Sequence, residues 1–101
     1  MWLLLSLAVA AEPNAAAGAK IYAAECVACH GAKGDGKGAA AIAFKPGPPD
    51  FTTATWWGTR TDAEVVAAIR AVKPGSPMAG FPALTDAQVA DVAAHLRSFR
   101  H

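Results

Sequence analysis

The chain has 101 residues, a formal charge of +1, 53% hydrophobic residues and only two cysteines. A chain of this length forms one domain at most, and its apolar core is marginal unless something else helps to fill it. The near-neutral charge and scattered lysines argue against nucleic acid as a partner, because neutralising phosphates takes a basic face.

The first eleven residues, MWLLLSLAVAA, are apolar but too short to span a bilayer. They end in the small-residue pattern Ala8-Val9-Ala10, after which a signal peptidase could cut. Residues 1–10 are therefore read as an export signal and residues 11–101 as the domain, which predicts a periplasmic or otherwise exported location. Retention as an N-terminal anchor is the alternative, since no Lys or Arg precedes the apolar run, and it is the one route by which the chain would touch a membrane.

Asn14, after Pro13, can cap a helix that begins at Ala15 and runs through good helix formers to the cysteines. Gly18, Tyr22 and Cys26 follow one another at i+4 steps, so a notch, an aromatic ring and a thiol share one face. Then comes Cys26-Val27-Ala28-Cys29-His30. Thiols at i and i+3 lie on one side of a helical turn and can each add across a vinyl group on a porphyrin edge, while His30 is forced toward the iron. This is the haem c attachment pattern. A thioredoxin-like pair would need alternating strands and helices, a zinc site would need ligands beyond the isolated His95 and His101, and a disulfide here would close too small a loop to stabilise much.

Gly31 to Gly38, GAKGDGKG, is too glycine-rich for a helix or a packed strand and reads as a surface loop. It lacks the GK[ST] ending of a phosphate cradle, and its expected use is to return a backbone carbonyl to the second nitrogen of His30. AAAIAF reads as a short helical turn ending near Phe44, and in KPGPPDF the prolines forbid regular structure, leaving Pro48, Pro49 and Phe51 as a stiff apolar wall. Trp56, Trp57 and Arg60 gather in a Trp-rich loop. One indole belongs in the core, whereas an indole N–H or the Arg60 guanidinium is suited to a haem propionate.

Thr61-Asp62-Ala63-Glu64 and Thr85-Asp86-Ala87-Gln88 are capping boxes. The first opens a helix with Val65, Ile69 and Val72 at helical spacing, stopped by Lys73-Pro74-Gly75. The second opens a helix whose Val89, Val92, Ala93, Leu96 and Phe99 form one apolar stripe. Between them GSPMAGF holds Met78, the only methionine besides the initiator, with Pro77 and Pro82 close by. Met78 is the candidate second iron ligand. A thioether has no proton to lose, whereas Lys73 must lose one, His101 is terminal, and His95 falls beside the core stripe.

In this order the chain resembles a small bacterial class I c-type cytochrome, most specifically in Cys26, Cys29 and His30 and in Met78 within Pro-Met-Ala-Gly-Phe. KPGPPDFTTATWWGTRTDAEV is similar to a common variety of that family. The resemblance implies an all-α fold, with three main helices wrapped around one covalently bound haem c, and a first helix that crosses the last, Gly18 and Tyr22 meeting Leu96 and Phe99. Many relatives have a proline where this chain has Ala39, and the contact expected there is a carbonyl to His30. The implied function is one-electron transfer between redox protein partners in a respiratory chain, by a monomer whose iron has His and Met ligands and is not an enzyme. Two other classes stay open: a haem c subunit or domain of a larger oxidase or dehydrogenase complex, and a haem enzyme with a displaceable Met.

Overall fold

Asn14 starts the first helix as its sequence demands: its side chain accepts a hydrogen bond from the Ala17 N–H at 3.0 Å. In the computed structural model, which describes residues 12–43, 45, 47–70 and 80–100, that helix is α1 (Ala15–Glu25). It breaks at Cys26, and a single further turn, α2 (Val27–His30), carries the rest of the CxxCH motif. A 3-10 turn over Ala39–Ala43 follows, then α3 (Ala54–Gly58), α4 (Asp62–Arg70) and α5 (Asp86–Arg97). All regular structure among the described residues is helical, so the fold is all-α, as expected.

Both capping boxes form. The Glu64 N–H donates to Thr61 Oγ1 at 3.1 Å and the Thr61 N–H to Glu64 Oε1 at 2.8 Å; Thr85 and Gln88 repeat the exchange with the same distances. The Trp-rich stretch departs from the expected loop. It is helical, because Thr53 caps it by accepting from the Trp56 N–H.

The core is Tyr22, Phe51, Trp57, Val65, Ile69, Val89, Val92 and Leu96, which come from α1, α3, α4, α5 and the Pro-rich segment. α1 crosses α5 through glycine: a Cβ on Gly18 would overlap the Asp91 carbonyl and sit 2.8 Å from the Val92 nitrogen. The crossing therefore lies about one turn before the expected Leu96 and Phe99. One turn further along, Tyr22 meets Phe99 with ring centroids 5.3 Å apart and His95 at 5.0 Å. His95 is thus part of the crossing rather than beside it, since a residue at i+4 from Asp91 and i−4 from Phe99 faces the same helix. Leu96 is buried on the neighbouring face.

α4 is tied to α5 and to the chain leading into it. Arg70 donates to the carbonyls of Pro82 and Leu84 and pairs with Asp86 at 2.5 Å, Arg97 pairs with Asp62, and the Phe81 N–H donates to the Ile69 carbonyl at 2.8 Å.

Two outcomes follow. Gly18→Ala should cost about 1–3 kcal/mol through overpacking of two backbones, read as a fall in chemical-denaturation midpoint; unchanged stability would place the crossing elsewhere. Burial lowers the proton affinity of His95 below its ordinary value of 6.5, so its contribution to stability is complete above that value and is lost as pH falls below it through the lowered one. Denaturation of His95→Gln and wild type between about pH 5 and 8 should show a shallower acid-side loss in the variant.

Candidate haem site

The CxxCH turn stands on the α1–α5 crossing. Tyr22, 2% exposed, donates its phenolic O–H to the Gly31 carbonyl at 2.5 Å, which clamps the residue after His30 to the core. Burial raises the Tyr22 hydroxyl well above the ordinary phenol range, so it remains a donor. A tyrosine on the same helical face as Cys26 was the one sequence signal for this clamp, because a buried phenol needs a partner.

The glycine loop meets the motif from the other side, though not as expected. Gly31, Gly34 and Gly36 have positive φ, which turns the amides of the loop inward. The Gly36 N–H donates to the His30 carbonyl at 2.9 Å and the Gly38 N–H to the Cys29 carbonyl at 3.0 Å. The loop thus grips the backbone of the motif, and no carbonyl is returned to the imidazole: His30 Nδ1 is buried and has no hydrogen-bond partner among the described residues. The His30 ring instead stacks on Phe51, with centroids 5.1 Å apart and planes 23° from parallel. Burial lowers the proton affinity of His30, which favours the neutral ring that a metal needs.

Beside His30 opens a cleft of about 700 Å³, counting the part that faces solvent. Its walls are almost wholly apolar. Tyr22 and Val92 stand at the back, Val65 and Ile69 of α4 on one side, and Pro49 and Phe51 on another, so two of the three residues expected of the Pro-rich wall line it. Cys26 is in the wall, and no disulfide joins it to Cys29. Burial and the neighbouring Glu25 push the Cys26 thiol up to about 11, so it is protonated at neutral pH.

Trp56 and Arg60 line the mouth, the guanidinium 5.0 Å from the centroid of the Trp56 ring and donating to Thr59 Oγ1 at 2.9 Å. Glu64 also lines the cleft. Trp57 is placed differently from the expected propionate donor: it is 7% exposed in the core, its Nε1 donates to the Phe51 carbonyl at 2.8 Å, and Arg97 lies over its ring. Its single N–H is committed to holding Phe51, which leaves Trp56 as the tryptophan on the cleft. Met78 lies outside the described residues, as do Phe44, Lys73 and His101.

A large apolar cleft holding one buried, unpartnered imidazole nitrogen and a half-buried thiol fits a haem better than a hydrated ion, which would need polar walls. The residues present therefore suit the group. Among the described residues no helix is long and apolar enough to cross a membrane.

The family model described as cytochrome c matches residues 15–100. No curated protein matches the chain. Among solved structures, a chain of the Kuenenia stuttgartiensis reducing HAO-like protein complex is similar, with a TM-score of 0.71 and 29% identity across 83% of this chain. The match spans 41% of that longer chain. Fold, cleft and family match agree, and the protein belongs to the cytochrome c family, whose cofactor is a covalently attached haem c and whose chemistry is haem-based electron transfer.

Proposed function

We propose that this protein is a one-electron carrier with His and Met axial ligation, shuttling electrons between redox partners in an exported compartment. The observation that carries the reading is the half-buried His30 ring, which lines an apolar cleft with Cys26 in its wall and Cys29 one turn away on α2. Cys26 and Cys29 would hold the haem through two thioethers. His30 presents its neutral ring to the iron from one side, and Nε2 is the nitrogen that ligates, since Nδ1 is enclosed. Met78 supplies the thioether sulfur from the other side. Support for it is positional: the chain leaves α4 beside Ile69 and is held again at Phe81, and both of these residues line the cleft. Trp56 and Arg60, which line the cleft, would meet the propionates. Haem c, when bound, supplies gain and loss of one electron at its iron. With His30 and Met78 both on the iron no position would be open to substrate, and the group would change charge without changing bonds.

A second reading has one observation in its favour. The similar solved chain is part of a protein complex and is more than twice as long as the matched region. On that reading the domain is a haem c subunit of a larger assembly, and tight co-purification of the native protein with a larger partner would select it over a free monomeric carrier.

Two measurements test the main reading. Cys26→Ala with Cys29→Ala should leave no haem that survives acid-acetone extraction; retained haem would place the attachment elsewhere. Met78→Ala should lower the midpoint potential, admit cyanide or carbon monoxide to the iron, and abolish the near-red band expected of ferric iron–thioether ligation. A band that persists in the variant would remove Met78 as the ligand.

A further inference from the structure

α4 faces the cleft with Glu64, Val65, Ala68 and Ile69, four positions that share one side of a helix. Three of them are apolar, as that side requires. The fourth is a carboxylate on the first turn, and its Oε1 accepts the Thr61 N–H at 2.8 Å to close the capping box. A capping box needs an oxygen three residues after its threonine, not a charge. The chain itself makes the comparison, because Thr85 and Gln88 close the box of α5 with an amide at the same 2.8 and 3.1 Å, and Gln88 does not line the cleft. The start of α4 would therefore be capped equally well by glutamine, and the charge of Glu64 is surplus to the helix.

That charge is held still. The Thr61 amide fixes the carboxylate at one edge of the cleft while the rest of the side chain forms part of the wall. The other ionised side chain among the described residues of the wall is Arg60, whose guanidinium lies 5.0 Å from the centroid of the Trp56 ring and donates to Thr59 Oγ1. Around both the wall is apolar, and a fixed charge is felt across such a space more strongly than through water. A group that gains and loses one electron there changes its own charge by one unit, so a negative charge at the wall favours its more positive, oxidised state. Glu64 is exposed at the rim, which lets salt screen part of the effect.

We propose that Glu64 tunes the reduction potential from the cleft wall: its carboxylate, held by the Thr61 amide, stabilises the ferric state and keeps the midpoint potential below the value that the axial ligands alone would set. The proposal rests on the cleft holding haem c, and it assigns a redox role to a residue that ligates nothing.

The test is potentiometric titration of holo-protein beside thermal denaturation. Glu64→Gln keeps the capping oxygen and removes the charge, so it should raise the midpoint potential, moving the reduction equilibrium against a fixed mediator severalfold toward the ferrous state, with the melting temperature of wild type. The rise should be larger at low than at high ionic strength. Gln88→Glu adds the same charge to the other capping box and should leave the potential where it is. Glu64→Asp keeps the charge on a shorter arm: it should weaken the cap, lowering the melting temperature, while the potential stays nearer to wild type than that of Glu64→Gln. An unmoved potential in Glu64→Gln overturns the proposal. So does a Gln88→Glu shift as large as the Glu64→Gln shift, which would make net charge the cause, or a Glu64→Asp potential that moves as far as that of Glu64→Gln, which would make packing the cause. Acid-acetone extraction separates the two levels of the argument: wild type that loses its haem removes the haem c reading and this proposal with it, whereas retained haem with an unmoved Glu64→Gln potential removes the proposal alone.

Discussion

The backbones of α1 and α5 touch at Gly18, and the placement of the haem motif descends from that contact. With any side chain at Gly18, the Asp91 carbonyl and the Val92 nitrogen would have to retreat, and α1 would lift away from α5. Tyr22, one turn along, would then lose the pocket in which its ring meets His95 and Phe99, and its hydroxyl would lose its hold on Gly31. A missing Cβ at one helix crossing is in this way transmitted through one phenol to the residue after His30. The pieces are rigid enough for this because Gly18, Tyr22, Gly31 and Val92 are buried, and close-packed interiors pass on displacements rather than absorb them.

Much of this could be read from the chain because the relevant chemistry is local. Asn14, Thr61 and Thr85 announce helix starts by offering an oxygen to amides that otherwise have no partner, and all three do so in the fold. The CxxCH motif is legible for the same reason, since two thiols and an imidazole within five residues need no tertiary information to be brought together. The helix around Trp56 and Trp57 is hidden although Thr53 marks its start, because five residues are too few to show a helical period of apolar positions.

What the sequence hid was register and orientation between distant segments. Neither α1 nor α5 carries in its own pattern which turn of the other it will meet, so the crossing was expected near Leu96 and Phe99 and lies at Asp91 and Val92. His95 was set beside the stripe for the same reason, although it packs on Tyr22. The glycine loop was expected to turn a carbonyl toward His30. Positive φ at successive glycines decides whether amides or carbonyls face inward, and composition alone does not say which. Phe51 was recognised as a wall but not as the neighbour of His30, a contact that joins residues twenty-one positions apart.

The cleft draws its walls from five helices and the Pro-rich segment, Tyr22, His30, Phe51, Trp56, Ile69 and Leu96 among them, so nearly every element loses its apolar partner if the cleft is empty. In most cofactor proteins such a dependence makes stability a matter of mass action, since dilution or competition strips the ligand and the fold with it. A covalently attached haem changes the order of the reaction. The unfolded chain carries its own core with it, the effective concentration of the ligand is set by a short tether rather than by the surroundings, and refolding is unimolecular. A domain whose apolar core is marginal on its own can thereby persist in a dilute compartment, where a dissociable haem would be lost.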